Sequence, residues 1–287
     1  MNFATDTLLP IAVVGIMFAL GLTLRFENLR RTLRSPRTVI AVLINQSVVL
    51  PILGFIIAHI LGLEPTLSLG VVLIASAPGG SASSLFTHLA KGDVMLATVL
   101  TAASSFTCLV TIPVAIGLAN GLTLQKLGFD FLALSKIALA LFAAVALPVI
   151  AGIGFRHWRP VLSTRISGPC IGASVAFFVF AIIWAIFLSW DHIPEYLGQS
   201  TPCVFLLSLM ALITGLAVCR VCSIEGERRI AVILQTGMRN SPLAIFTAIV
   251  VFGVPEMAFP AAAYGIVQLA TAGVAVLAWR AYALRGQ

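Results

Sequence analysis

The chain carries very little charge, and acidic side chains are especially scarce. Of its 287 residues, 10 are Asp or Glu and 17 are Lys or Arg, so charged residues make up 9% of the composition. Hydrophobic residues make up 60%, and the mean hydropathy is +1.09. This composition excludes a soluble domain, which needs a far more polar surface. Apolar runs of about 20 residues recur along the whole chain and predict an all-α polytopic membrane protein embedded in a lipid bilayer.

The sequence also lacks the residue clusters that catalysis or metal binding requires. Its 4 histidines and 5 cysteines are scattered, and the CxxC pair of Cys219 and Cys222 has no second pair to complete a metal site. The serines that follow Pro78 have no base nearby in the sequence. The segment Gly79-Gly80-Ser81 does not match the G-x-S-x-G motif of hydrolases. We therefore expect a protein that is not an enzyme and holds no cofactor.

Positive charge concentrates in alternate loops, beginning with the five arginines of loop 25–37. By the positive-inside rule, this pattern places the N-terminus outside and the C-terminus in the cytoplasm of a bacterial inner (plasma) membrane. It also explains the net charge of +7 without a nucleic-acid partner. The first span lacks the basic flank of a cleavable signal peptide. We predict about nine spans: Leu8–Leu24, Thr38–Leu61, Leu67–Leu89, Val94–Ala119, Phe131–Phe155, Ile166–Leu188, Thr201–Val218, Ile230–Phe252 and Ala261–Trp279.

Two of these spans contain helix-breaking residues in their middle. Leu67–Leu89 contains Pro78-Gly79-Gly80, and Ile230–Phe252 contains Gly237 and Pro242. Proline and glycine let the chain leave helical geometry, which survives at membrane depth only where protein or a wet cavity satisfies the backbone. Two interrupted spans in corresponding places of two halves indicate an inverted-repeat secondary transporter. The alternative is a pair of simple kinks whose polar residues serve helix contacts.

Arg239 lies in the middle of the second interrupted span. A charged side chain at this depth costs roughly 2.5–3.5 kcal/mol and normally faces a partner or a watery cavity. We expect every acidic residue to lie in a loop or at a terminus, so none can pair with Arg239. Its partner is then a small anion, or the guanidinium has replaced a cation. The acidic residues are Asp6, Glu27, Glu64, Asp93, Asp130, Asp191, Glu195, Glu225, Glu227 and Glu256.

The residues around both interruptions resemble motifs of the bile acid:sodium symporter family. Ala77–Asp93 is similar to the first broken-helix motif, Gln235–Ala244 to the second, and Asn45-Gln46 to the preceding span. The resemblance extends over nearly the whole chain, in a nine-span form like that of the animal members. It implies two discontinuous helices that cross at mid-membrane. It also implies a core domain, about 38–119 and 201–279, beside a panel domain, about 8–24 and 131–188.

The resemblance implies a substrate that is an organic anion: a bile acid, a steroid sulfate or a small carboxylate. The half-helix that starts after each break should present unpaired N–H groups, whose partial positive charge favours an anion. Gln268 is a further candidate by position and polarity, although an interhelical hydrogen bond would also account for it. The predicted substrate-binding residues are Gly79, Gly80, Ser81, Ala82, Ser83, Arg239, Asn240, Ser241, Pro242 and Gln268.

The positions that match the family's sodium ligands are altered in this chain. In the family a Glu serves both sodium sites, whereas this chain has Gln235 there and Arg239 in place of a Gln. Ser84 replaces an Asn, and Ala97 replaces a Ser. The complete set of matching positions is Gln46, Ser83, Ser84, Ala97, Thr101, Gln235, Thr236, Met238 and Arg239.

We therefore expect weakened or lost sodium coupling, with Arg239 as a tethered substitute for one sodium ion. Two unit charges ~4 Å apart at an effective dielectric of ~20 repel by about 4 kcal/mol, which would lower sodium occupancy roughly a thousandfold. Proton coupling lacks an acidic relay, since only His88 lies near the first break. Two alternatives stay open: a sodium-coupled symporter of the ordinary family type, and a non-transporting receptor or sensor on the same fold.

Overall fold

The structure is a computed structural model that describes residues 7–24, 36–122, 131–188 and 193–285. The elements named in these ranges are helices, in agreement with the all-α prediction. In chain order the α-helices are α1 (Leu9–Thr23), α2 (Pro36–Ile44), α3 (Leu50–Ile60), α4 (Pro65–Ser76), α5 (Ala82–Leu89), α6 (Val94–Leu122), α7 (Phe131–Leu141), α8 (Leu147–Trp158), α9 (Pro160–Leu188), α10 (Ile193–Val221), α11 (Gly226–Gly237), α12 (Ser241–Phe246) and α13 (Ala258–Arg285).

Three short π-helical segments extend these helices. Asn45–Val49 joins α2 to α3, Phe142–Ala146 joins α7 to α8, and Thr247–Val251 follows α12. The first two directly precede a Leu-Pro pair that opens the next helix. Because proline has no N–H, the regular hydrogen-bond ladder is broken at that point, and a wider turn accommodates the break. The helix therefore continues, and α2 and α3 form one apolar stretch, Pro36–Ile60.

Each predicted span coincides with a helix or a consecutive pair of helices. Among the described residues, five helices are long and apolar enough to cross a membrane by length and composition, and three shorter apolar helices accompany them. Both predicted interruptions are present, since α4 ends at Ser76 before α5 begins at Ala82, and α11 ends at Gly237 before α12 begins at Ser241. The total of nine crossings and the inverted repeat stay predictions.

Helix α1 packs closely against α8 and α9. At the contact with α8, a Cβ added to Gly21 would overlap the carbonyl oxygen of Val149, and one added to Gly152 would overlap the carbonyl oxygen of Phe18. Small residues thus let the two backbones approach, as they do between membrane helices. A second group contains α10, which packs against α11 and α13, and α4, which packs against α3 and α6. The assignment of these groups to a panel and a core stays a prediction.

The acidic residues differ in part from the expectation. Glu195 and Glu227 lie in the first turns of α10 and α11, and Glu256 lies in a short 3₁₀ helix, so the loop prediction was wrong for these three. A helix N-terminus favours a negative charge, which explains these placements. Among the described residues no acidic side chain is buried.

Four predicted loop carboxylates and four loop arginines lie outside the described residues: Asp6, Glu27, Asp130, Asp191, Arg25, Arg30, Arg31 and Arg34.

Candidate functional site

The two interruptions cross each other and pair through their backbones. Gly79 and Arg239 form an isolated antiparallel bridge. The N–H of Gly80 donates to the carbonyl of Met238 at 2.9 Å, and the N–H of Asn240 donates to the carbonyl of Pro78 at 2.9 Å. Each non-helical segment therefore satisfies polar groups of the other, which permits irregular backbone in an apolar surrounding.

Two glycines make this close crossing possible. A Cβ on Gly79 would overlap the side-chain amide of Gln235, and a Cβ on Gly80 would lie 2.9 Å from the carbonyl oxygen of Arg239. The Gln235 side chain could shift away from a Cβ on Gly79, but the backbone oxygen of Arg239 cannot shift from Gly80 without disturbing the pairing. The Pro-Gly-Gly sequence therefore ends helix α4 and also leaves room for the opposing chain.

The guanidinium of Arg239 joins the two interruptions. The residue is only 2% exposed, and its Nη1 donates to the carbonyl of Ala77 at 3.1 Å. That carbonyl lies just beyond the end of α4, where a positive charge complements the helix dipole. Within the described part of the chain, Nη2 has no hydrogen-bond partner and no carboxylate pairs with the guanidinium. Arg239 is thus a buried cation whose positive charge no described carboxylate neutralises.

Helix α13 holds the second interruption in place. The backbone N–H of Arg239 donates to Oε1 of Gln268 at 2.7 Å, and Nε2 of Gln268 donates to the hydroxyl of Ser241 at 3.4 Å. The hydroxyl of Tyr264 donates to the carbonyl of Gly237 at 2.7 Å. Gln268 therefore makes the interhelical hydrogen bonds that were the alternative explanation for it. Sequence reasoning missed Tyr264, although it lies one helical turn before Gln268 on the same face.

The residues at the predicted ion-site positions are mostly buried near the crossing. Nε2 of Gln46 donates to Oε1 of Gln235, which connects the π segment after α2 with α11. The hydroxyl of Thr101 donates to the carbonyl of Ala97 at 3.0 Å, and Ser84 shares a hydrogen bond of 3.1 Å with Thr98. At these positions five buried side-chain atoms have no hydrogen-bond partner among the described residues: Gln46 Oε1, Ser83 Oγ, Gln235 Nε2, Thr236 Oγ1 and Arg239 Nη2.

The buried oxygens of Gln46, Ser83 and Thr236 have the ligand type that sodium prefers, but Ala97, Gln235 and Arg239 fit a sodium ion poorly. Sodium is a hard cation that prefers several oxygen ligands, whereas Ala97 offers none and Arg239 offers only donors. The amide oxygen of Gln235 already accepts a hydrogen bond from Gln46. The neutral Gln235 also cannot supply the negative charge that a Glu would supply. We therefore assign no step of a transport cycle to a bound sodium ion.

A cavity of about 400 Å³ lies beside the crossing, between α1, α5, α6 and α9. Of the residues predicted to contact substrate, Ser81 lines this cavity, and so does Ser84, which was predicted as an ion-site position. The remaining predicted substrate residues lie within the crossing or at its edge rather than among the lining residues. The sequence did not identify the rest of the lining: Leu20, Thr23, Leu24, Val94, Met95, Thr98, Val99 and Ile171.

We expected both half-helices to begin with unpaired N–H groups. This expectation was wrong for the backbone N–H groups of Ser83, Ser84 and Leu243, which all donate hydrogen bonds. The N–H of Ser83 donates to Gly80 and that of Ser84 donates to Ser81, both to backbone carbonyls. In α12 the side chain of Asn240 accepts from the N–H of Leu243 at 3.1 Å. Tight turns and a side-chain cap thus use donors that the sequence suggested were available to an anion.

A bundle of apolar helices with two interrupted helices that pair inside it is consistent with a multi-pass membrane transporter. The sequence profile of the Sodium Bile acid symporter family matches residues 10–225, about three quarters of the 287 residues. The chain belongs to this family.

Named relatives extend the similarity across both interruptions. "Probable sodium/metabolite cotransporter BASS2, chloroplastic" of Oryza sativa subsp. japonica is 31% identical over 272 residues, covering 92% of this chain and 62% of the relative. "Probable sodium/metabolite cotransporter BASS1, chloroplastic" of Arabidopsis thaliana is 27% identical over 279 residues, covering 97% and 68%. The chain therefore spans about two thirds of these plant relatives.

A bacterial relative is covered more completely. "Uncharacterized sodium-dependent transporter YocS" of Bacillus subtilis (strain 168) is 26% identical over 258 residues, covering 88% of this chain and 76% of the relative. The three relatives are named as transporters or cotransporters, which confirms the prediction that the chain is not an enzyme.

Proposed function

We propose that this chain is a secondary transporter of an organic anion that works by alternating access and has lost sodium coupling. In this proposal Arg239 occupies the place of one sodium ion of the family. The observation that carries it is the buried guanidinium of Arg239, which bonds to the carbonyl of Ala77 across the crossing with no carboxylate beside it in the described chain. The guanidinium supplies a fixed positive charge where the family resemblance implies a mobile one.

Charge conservation at the crossing supports the substitution. The family arrangement implied by the resemblance has one Glu carboxylate and two sodium ions, so −1 + 2 gives a net charge of +1. This chain has neutral Gln235 and cationic Arg239, so 0 + 1 also gives +1. The crossing can therefore keep the same net charge without binding or releasing an ion.

The substrate class rests on the cavity beside the crossing and on the relatives. The cavity is largely apolar and carries a few hydroxyl groups, including those of Thr23, Ser81, Ser84 and Thr98. Such a surface suits an organic anion with an apolar body, which is typical of small-molecule sites. Relatives named as sodium/metabolite and sodium/bile acid cotransporters favour the same class. The cavity lies between α1 and α9 on one side and α5 and α6 on the other, which supports a panel and a core that move apart.

Ordinary sodium-coupled symport is the second candidate. Several relatives are named as sodium cotransporters, and Gln46, Ser83 and Thr101 keep the residue types expected of sodium ligands. Arg239 is the main argument against it, because a fixed guanidinium repels a sodium ion nearby. The two candidates make opposite predictions about the sodium dependence of uptake.

Measuring uptake into proteoliposomes distinguishes sodium-independent transport from sodium-coupled symport. Purified protein is tested with radiolabelled taurocholate and with pantoate, under an inward sodium gradient and with potassium replacing sodium. We expect the two rates to agree within about twofold, whereas sodium-coupled uptake would rise at least about tenfold, equivalent to about 1.4 kcal/mol. Sodium stimulation of that size would refute the proposal. Saturable binding without uptake would instead indicate a receptor.

The double variant Gln235→Glu with Arg239→Gln is the matched control for this assay. It restores a carboxylate and removes the guanidinium, and we expect it to regain only part of the sodium dependence because Ser84 and Ala97 remain changed. An uptake rate in the double variant that is as sodium-independent as wild type would show that the two positions do not control coupling.

A further inference from the structure

A second cleft, of about 420 Å³, lies at the end of the bundle where α2 and α11 begin. None of its lining residues belongs to the crossing or to the cavity of the proposed substrate. The loop charges predict that this end faces the cytoplasm. The lining residues are Pro36, Arg37, Thr38, Cys222, Ser223, Ile224, Glu225 and Arg228.

The cleft has more positive than negative charge. Arg37 and Arg228 line it together with a single carboxylate, that of Glu225, and none of the three has an ion pair or side-chain hydrogen bond within the described ranges. The neighbouring Arg229 differs, since its Nε donates to the carbonyl of Ile224 at 3.2 Å. Two arginines are therefore free to bind a ligand from the same cleft.

The backbone adds to this positive potential. Helix α11 begins at the cleft, and the residue before it, Glu225, makes no side-chain cap. The C-terminal end of α10 also lies near the cleft, and its partial negative charge is offset. Its last carbonyls accept hydrogen bonds from the N–H groups of Cys222, Ser223 and Ile224. The cleft thus faces the positive end of α11, while the last carbonyls of α10 already accept hydrogen bonds.

Thr38 provides an independent indication of a ligand. The residue is only 6% exposed, it lines the cleft, and its hydroxyl has no hydrogen-bond partner in the described part of the chain. Thr38 lies in the first turn of α2, where a hydroxyl can make a hydrogen bond to a group outside the helix. A hydroxyl left without such a bond beside two free arginines is suited to an external acceptor.

We propose that this cleft binds a phosphate group, held by Arg37, Arg228 and Thr38. Phosphate offers several acceptor oxygens and accepts paired hydrogen bonds from guanidinium groups, which the two arginines and the hydroxyl that line the cleft can supply. The group can belong to an anionic phospholipid headgroup or to a free phosphate compound. A bound phosphate would connect the starts of α2 and α11, the helices that lead into Gln46 and Gln235 at the crossing.

Binding is measured on the full-length protein, purified in neutral detergent and depleted of lipid, so that no transport activity is needed. Thermal unfolding is followed against inorganic phosphate, with chloride at matched ionic strength as the reference. Native mass spectrometry compares retention of short-chain phosphatidylglycerol with retention of phosphatidylcholine. Stabilisation by inorganic phosphate would identify a free phosphate compound as the ligand. Selective retention of phosphatidylglycerol alone would identify a lipid headgroup.

The variants test the assigned residues. We expect Arg228→Gln and Arg37→Gln each to weaken binding about tenfold, since each removes a charge-assisted hydrogen bond, and Thr38→Val to weaken it less. Arg220→Gln removes an exposed arginine of α10 that does not line the cleft, and it should leave binding unchanged. Arg228→Lys keeps the charge if Arg228→Gln fails to fold. Equal losses for Arg220→Gln and Arg228→Gln, or binding of neither probe, would overturn the proposal.

Discussion

The two interrupted helices meet at one crossing but contribute different kinds of residue to it. The first contributes Pro78 and two glycines without side chains, Gly79 and Gly80, while the second contributes Met238, Arg239 and Asn240, whose side chains are all buried. Their backbones exchange equivalent hydrogen bonds of 2.9 Å. The first segment leaves space because its glycines have no side chains. The second segment fills that space with buried side chains, among them the charged hydrogen-bond donor Arg239. A matched pair of backbone hydrogen bonds therefore does not imply equivalent side-chain chemistry.

The starts of the following half-helices differ in the same way. Ser81 precedes α5, makes no side-chain cap and lines the cavity, whereas Asn240 precedes α12 and caps the N–H of Leu243. The first start is therefore accessible to a ligand, while the second is used to hold the helix. This asymmetry gives variants of the two segments different expected effects.

Removing the charge from the second segment should have the largest effect. Arg239→Leu leaves the carbonyl of Ala77 without its donor inside an apolar region. We expect a loss of about 3 kcal/mol in the free energy of unfolding, because a buried polar group is left unpaired, and loss of taurocholate uptake. Thermal unfolding and proteoliposome uptake measure both effects. Arg220→Leu, at an exposed position, is the control, and normal stability and uptake in Arg239→Leu would contradict a bridging role.

Filling the space in the first segment should have the next largest effect. Gly80→Ala places a methyl group 2.9 Å from the backbone oxygen of Arg239, which cannot move without breaking the pairing. Overpacking of this kind costs about 2 kcal/mol. Gly273→Ala in α13, where no atom lies within 4 Å, is the control. Equal melting temperatures for both variants would show that the crossing is looser than the structure indicates.

Replacing the residue before each half-helix by alanine should have the smallest effect on stability. It should also distinguish most clearly between the roles of Ser81 and Asn240. Asn240→Ala removes the cap of α12 and should cost about 1 kcal/mol. Ser81→Ala removes no cap and should leave stability unchanged, although it changes the cavity wall. Thermal unfolding compares the pair. A larger loss from Ser81→Ala than from Asn240→Ala would reverse the proposed division of roles.

Local sequence was sufficient to predict where the helices break. Proline and glycine act on their own backbone, so Pro78-Gly79-Gly80 and Gly237 indicated both interruptions without knowledge of the fold. The π segments were not predicted, because a Leu-Pro pair inside an apolar run is compatible with either a kink or a wider turn. The crossing itself came from the family resemblance rather than from these residues.

Partnerships between distant residues could not be predicted from local pattern. Arg239 bonds to a carbonyl 162 residues away, and Gln46 bonds to a side chain 189 residues away. The sequence indicated that Arg239 needed a partner, and it suggested an anion or a replaced cation. The partner found is a backbone carbonyl at a helix end, an option that becomes visible only when the two interruptions are placed together. The cavity wall was missed for the same reason, since Thr23 and Ile171 come from separate helices.

The covalent attachment of the Arg239 guanidinium has a thermodynamic consequence for the proposed carrier. A charge fixed to the polypeptide returns with it in every cycle, so it draws no energy from an alkali-metal gradient. Voltage alone then acts on a monoanionic solute, at about 2.3 kcal/mol per 100 mV, which corresponds to roughly a 50-fold excess on the positive side at steady state. Such a protein would release anions from the cell or swap one for another, instead of accumulating them.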